Sequence, residues 1–177
     1  MTPPKPRKRP VDHAPDPKGE FPLAPGEYYF YLLFQAGRQR DLHFERALAR
    51  AGLNVARWRT LAIIRRMGVC TMKELALYST VDRTTLTRVV DHLVEQALVE
   101  RCVPSRDRRK VNLSLSAAGE ALYAKAVPLL LEGNAELLAG FADEQVRDAV
   151  RLLQTTLRRM MDDPVTADLL INFGRPA

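Results

Sequence analysis

The side chains able to do chemistry in this 177-residue chain are few, and their spacing decides which chemistry is available. His13, His43 and His92 stand far apart with no HxxxH repeat, and Cys70 and Cys102 form no CxxC pair. Zinc sites need ligands at short regular spacing, so no metal and no cofactor is expected. No GxSxG, P-loop or GxGxxG run occurs. Without a nucleophile elbow or a phosphate cradle, an enzyme is not expected. Two isolated cysteines fit a reducing, cytoplasmic setting better than a disulfide framework. A redox role for them stays open, although Cys102, on a predicted strand, reads better as a small buried apolar side chain.

What remains is arginine. Lys+Arg is 27 against 21 Asp+Glu, a net charge of +6. An excess of this kind points to an anionic partner, either nucleic acid or a membrane surface. The charge is concentrated. Residues 36–66 hold eight arginines against only Asp41 and Glu45, while residues 101–115 hold Arg101, Arg106, Arg108, Arg109 and Lys110 against Asp107. A third cluster is the run KPRKRP near the N-terminus, and the stretches 67–100 and 116–163 are net negative. No apolar run approaches the ~18 residues of a spanning helix, so no membrane insertion is expected.

The elements that must hold these arginines can be read from periodicity and caps. Residues 1–26 contain eight of the twelve prolines, which predicts an extended basic arm. Residues 27–52 form an apolar helical stretch, nearly apolar all round in FYLLF, which predicts burial on several sides. Asn54 caps a helix with Val55, Trp58, Leu61 and Ala62 on one face, ending at Gly68. TMKE at 71–74 is a capping box that opens a short helix. Asp82 then caps RTTLTRVVDHLVEQ, whose inner stripe is Leu86, Val89, Val90, Leu93, Val94 and Ala97. Two helices joined by so short a break form a helix-turn-helix pattern.

LVERCV and VNLSLS read as two short strands around PSRDRRK, giving a basic-tipped hairpin directly behind the helix pair. Ser116 caps a long helix to about Ala139 with Pro128 inside it, and a last amphipathic helix runs from an Asp143 cap to about Met161. The expected fold is mainly α with a small β-wing. Residues 53–115 form a winged helix-turn-helix lobe, and residues 27–52 with 116–177 form a helical region with more apolar surface than one such lobe can cover. The exposed face of the second helix places Thr84, Thr85 and Arg88 at base edges. Ser79 and Thr80 lie beside them for the DNA backbone, Arg83 belongs to the same DNA-binding set, and Arg106, Arg108, Arg109 and Lys110 belong to the wing.

At this point the chain resembles the MarR family of winged helix-turn-helix regulators. Trp58 and Leu61 sit where that family has W-x-x-L, and VDRTTLTRVVDHLVEQALVER is similar to its recognition helix and first wing strand. Asp107, Arg109, Leu113, Leu115, Ser116 and Gly119 fit its wing pattern D-x-R-x-x-x-[LV]-x-[LV]-[ST]-x-x-G. The chain departs at Ala97, where the family usually has glycine; positive φ there would cost alanine about 1 kcal/mol.

The resemblance implies a homodimeric repressor, with residues 27–52 and 116–177 as its helical dimerisation region, on a pseudo-palindromic double-stranded operator and released by a small-molecule effector. The junction where such effectors lodge would be lined here by Arg38, Arg40, His43, Arg46, Trp58 and Arg59. That set suits an aromatic acid or an acyl-CoA. The alternatives are a redox-responsive regulator of the same kind, or a basic adaptor binding membrane or protein partners.

Overall fold

The computed structural model of the chain describes residues 24–103 and 111–173. Two compact units are distinguished, residues 1–39 and 40–177. Helix α1 (Pro25–Ala49) begins in the first and ends in the second. There follow α2 (Val55–Met67), β1 (Val69–Thr71), α3 (Met72–Tyr78), α4 (Arg83–Glu95), β2 (Val99–Cys102) and β3 (Asn112–Leu115). Three helices complete the described chain: α5 (Ala117–Leu138), α6 (Asp143–Met160) and α7 (Pro164–Phe173). The architecture is mainly α with a small antiparallel sheet, as the sequence predicts.

In the first unit, α1 starts at Pro25, two residues earlier than the expected start of the helical stretch. Proline suits this place, because its fixed φ matches the helix and its missing N–H has no acceptor in a first turn. Glu27 Oε2 closes the turn by accepting from Ala24 N at 3.0 Å. Tyr28, Phe30, Tyr31, Leu32, Leu33 and Phe34 all stand exposed, Phe34 at 69%. An apolar surface of that extent marks a contact site.

The core of the second unit surrounds α2. Leu61, Ile64, Leu75, Leu86, Val90, Leu93, Val99 and Leu113 are fully or almost fully buried. Burial of each side chain of this size contributes about 1.5–3 kcal/mol. Leu86, Val90 and Leu93 follow one another at helical spacing, which fixes the inward face of α4. Val89 and Val94 pack at its margin, whereas Ala97, expected in the stripe, is exposed. Strand β3 is central in the order β1-β3-β2, with Leu113 opposite both Cys70 and Arg101. At three residues, β1 is too short to show a period of two, and the sequence reading missed it.

The end of α4 ties the sheet to α5. Leu98 N donates to Leu93 O at 2.9 Å and Ala97 N to Val94 O at 2.9 Å. This pair of bonds closes the helix with its C′ residue left-handed. That residue is Ala97, at φ 55°. Ser116 Oγ then donates to Ala97 O at 2.6 Å and accepts from Gly119 N at 3.0 Å, capping α5. A side chain at Gly119 would overlap the Leu98 carbonyl oxygen. Further along α5, Gly133 admits Phe44 of α1, because a Cβ there would stand 2.6 Å from Phe44 Cε1.

Two expectations for the C-terminal region need correction. Asp143 is the first helical residue of α6 and not its cap; the backbone N–H of Ala142 is satisfied instead by Gln145 Oε1 at 2.8 Å. The chain also does not end its helices at Met161. Asp163 accepts from Val165 N at 3.1 Å and Thr166 N at 3.2 Å, and so starts α7. The Thr166 hydroxyl, first, and these backbone donors hold the Asp163 carboxyl below the usual carboxylate range. Helix α6 buries none of its residues, and Val150, Leu152, Leu153 and Met160 stand exposed along it.

Candidate nucleic-acid interface and the cleft behind it

The reading face is set by caps before any contact is considered. Thr71 and Glu74 form the expected capping box at α3, with Thr71 N donating to Glu74 Oε2 at 2.7 Å and Glu74 N to Thr71 Oγ at 3.3 Å. Helix α3 ends as Ser79 N donates to Leu75 O, and Ser79 Oγ accepts from Val81 N at 3.1 Å, shaping the turn. Asp82 Oδ1 accepts from Thr85 N at 2.9 Å and opens α4. The Thr85 hydroxyl and backbone N–H, in that order, hold the Asp82 carboxyl below the usual range. The cap therefore stays ionised at neutral pH, where a negative charge favours a helix N-terminus.

Arg83, Thr84, Thr85 and Arg88 are all exposed on the first two turns of α4. Arg83 and Arg88 form no ion pair among the described residues. The Thr85 hydroxyl is engaged with Asp82. Asp91, lower on the same helix, pairs with Arg101 of β2. The turn residues differ in setting: Ser79 is half-buried, while Thr80 is exposed and accepts from Arg59 Nη1 at 3.2 Å. Arg106, Arg108, Arg109 and Lys110 lie outside the described residues, as do residues 1–23 of the arm.

Behind the turn, the junction residues divide. Arg40, Trp58 and Arg59 line one cavity of about 440 Å³ together with Asp41, Phe44 and Phe173. Its cations are organised: Arg59 Nη2 meets Asp41 Oδ1 at 2.6 Å, and Arg40 lies 4.4 Å over the Phe44 ring. Burial first, then the nearby Arg59, lower the Arg40 guanidinium from its ordinary value, with Asp41 opposing. His43 and Arg46 point elsewhere. They line a separate hollow of about 310 Å³ with Arg50, Glu132 and Glu136. Arg38 belongs to the first unit. The single lining read from sequence is thus two, because α1 turns about 100° per residue and presents Arg40 and Arg46 on different faces.

Sequence reasoning missed the aromatic wall of this cleft. Tyr123 of α5 stacks on Trp58, with centroids 5.0 Å apart and planes 10° apart. Tyr78 of α3 stacks on Phe173 of α7 at 4.0 Å and 19°. These residues are distant in the chain, and only the Asp163-Pro164 helix start signalled that α7 existed. Cys102 is a further correction: it is exposed, at the end of the edge strand β2, and Cys70 is the buried thiol. Burial, then Glu74, pushes Cys70 up to about 11.

A capped helix pair, a second helix with an exposed polar and basic N-terminal face, and an antiparallel sheet behind it define the winged helix-turn-helix class of DNA-binding proteins. Comparison narrows the class. The model of the MarR family matches residues 51–110. The homoprotocatechuate degradative operon repressor of Escherichia coli is 28% identical over 122 residues, 69% of this chain and 82% of that protein. The HTH-type regulator YwoH of Bacillus subtilis is 33% identical over 93 residues, 52% of this chain and 67% of its own length. A serine-for-cysteine mutant of E. coli MarR, solved complexed with operator DNA, superposes with TM-score 0.67 at 26% identity, covering 72% of this chain and 91% of that one. A MarR-family regulator from Silicibacter pomeroyi gives TM-score 0.69 at 26% identity over 79% and 96%. The chain belongs to the MarR family and is a transcriptional regulator, not an enzyme.

Proposed function

We propose that the protein is a homodimeric repressor that binds a pseudo-palindromic operator and is released by an aromatic acid. The observation that carries the DNA assignment is the exposed N-terminal face of α4. Thr84 and Arg88 lie there on a capped helix, with the side chains of both directed away from the core. In this reading Thr84, Thr85 and Arg88 meet base edges in the major groove, while Ser79, Thr80 and Arg83 hold the phosphate backbone. Arg108 of the wing reaches the minor groove, and Arg106, Arg109 and Lys110 add phosphate contacts. Dimerisation is supported by the exposed apolar surfaces of α1 and α6, which one protomer leaves uncovered.

Release by an aromatic acid is supported by the cleft, where Trp58, Tyr78 and Tyr123 provide ring faces and Arg40 and Arg59 provide cations. Homoprotocatechuate, in the name of the E. coli relative, is itself an aromatic carboxylate. An acyl-CoA remains the larger alternative, its phosphates meeting the same arginines.

Operator selection from a random library, followed by gel shifts at rising salt, tests the DNA assignment. Enrichment of a two-fold sequence is expected, and neutralising Arg106, Arg108, Arg109 or Lys110 should each flatten the salt slope by roughly one unit. Binding without sequence preference would overturn it, in favour of a basic adaptor. A thermal-shift series with aromatic acids and their CoA thioesters, followed by operator release, tests the effector.

A further inference from the structure

The aromatic subsite of the cleft is already filled by the chain itself. Phe173, the last residue of α7, lies flat on Tyr78 at 4.0 Å. The Arg66 guanidinium stands 5.4 Å from the centroid of the Phe173 ring. The same ring lines two cavities, of about 330 and 440 Å³, and Trp58 and Arg59 line both as well. Phe173 thus stands with Trp58 and Arg59 on the boundary between the two, in one aromatic and cationic cleft.

We propose that Phe173 is a displaceable internal occupant of this cleft, which an aromatic carboxylate effector must eject in order to bind. The proposal rests on the aromatic-acid reading above and adds what the effector competes with.

The hold on the plug is light. Helix α7 has ten residues, of which only Ala167 is buried. Isolated helices shorter than ~12–15 residues are marginal in water, so α7 persists by docking. Besides the Phe173 contacts, Ala167 is buried and Leu170 and Ile171 are half-buried, and the polar ties of α7 among the described residues are the Asp163 cap and the exposed pair of Arg158 Nε with Asp168 Oδ1 at 3.0 Å. An incoming ring keeps the Tyr78 face and the Arg66 cation. If it bears a carboxylate, it adds charge-assisted hydrogen bonds that a phenyl ring cannot make. Displacement also reaches the reading head, because Tyr78 ends α3 and is followed directly by the turn residues Ser79 and Thr80. A ligand preferring the undocked state shifts the population toward it in proportion to its differential affinity.

The chain's single tryptophan, Trp58, lines both cavities and reports on the plug without any ligand. Acrylamide quenching of the full chain is compared for the wild type, Phe173→Ala and the ring-preserving Phe173→Tyr, each checked for cooperative unfolding. Quenching should rise in Phe173→Ala and stay at the wild-type level in Phe173→Tyr. Titration with benzoate, the simplest ring with a carboxylate, should then show roughly tenfold tighter binding to Phe173→Ala, as expected if the docked state is about 90% populated. Equal quenching in the wild type and Phe173→Ala overturns the plug whether or not benzoate binds. Benzoate binding that is unchanged or weaker in Phe173→Ala overturns the competition. Raised quenching with no benzoate bound to either protein supports the plug and overturns the aromatic-acid reading.

Discussion

Arg59 of α2 donates an Nη1 hydrogen bond to Thr80 Oγ1 at 3.2 Å, in the turn between α3 and α4. Its other terminal nitrogen meets Asp41 of α1 at 2.6 Å. One guanidinium therefore joins the wall of the cleft to a turn residue assigned to the phosphate backbone. A rigid fork of this kind holds two acceptors in fixed relation. Replacing Thr80 by valine should weaken operator binding without altering the preferred sequence, and Arg59→Met should do the same through Thr80. In a double-mutant cycle on operator affinity the two changes should couple by roughly 0.5 kcal/mol or more. Strict additivity would show that Arg59 does not act through Thr80.

Arg88 carries the sharpest test of base reading. An arginine that donates two hydrogen bonds to guanine is worth about 1–3 kcal/mol of discrimination. Arg88→Ala should relax specificity at one position in each half-site, measured by competition between single-base operator variants. A uniform loss over all sequences would assign Arg88 to phosphate instead.

Ala97 and Gly119 occupy the same junction, and only Ala97 would gain stability from a change of residue type. Ala97 holds a φ of 55°, where a Cβ is strained. Ala97→Gly should stabilise by up to about 1 kcal/mol, seen as a rise of roughly 2–4 °C in Tm. Gly119→Ala should act in the opposite sense, by about 1–3 kcal/mol, because the added methyl meets the Leu98 carbonyl. Both effects are read by thermal unfolding.

The two cysteines should separate under a thiol reagent. Cys102 is exposed and should label in the native protein, whereas Cys70 should label only after unfolding. Burial raises the Cys70 thiol from 9.0 to about 11, so folding favours its protonated form. This contribution is complete below pH 9 and is lost as pH rises toward 11. Stability should fall over that window in the wild type, and less in Cys70→Ala. A second thiol labelling rapidly in the native state would contradict the burial of Cys70.

Much of the fold was legible from local signals. Asn54, the Thr71–Glu74 box, Asp82 and Ser116 each cap the helix expected of them, because a cap needs only a side chain and a backbone N–H two or three residues away. The Leu86–Val90–Leu93 stripe turned inward for a similar reason, since helical periodicity is a property of neighbouring residues. Asp143 misled because it sits one residue inside its helix, where an acidic side chain is equally favoured by the dipole.

The sequence alone thus determined the order of helices α1 to α6, the exposed N-terminal face of α4 and the concentration of positive charge in residues 36–66 and 101–115. Tertiary structure decided which arginines share a cavity, that Cys102 is exposed, and that Tyr78, Tyr123 and Phe173 form an aromatic wall. The difference is one of range. Caps and periodicity act over a few residues and leave a mark in the sequence, whereas the stacking of Phe173 on Tyr78 joins residues 95 positions apart. That contact depends on how α7 packs, and no local pattern encodes the packing.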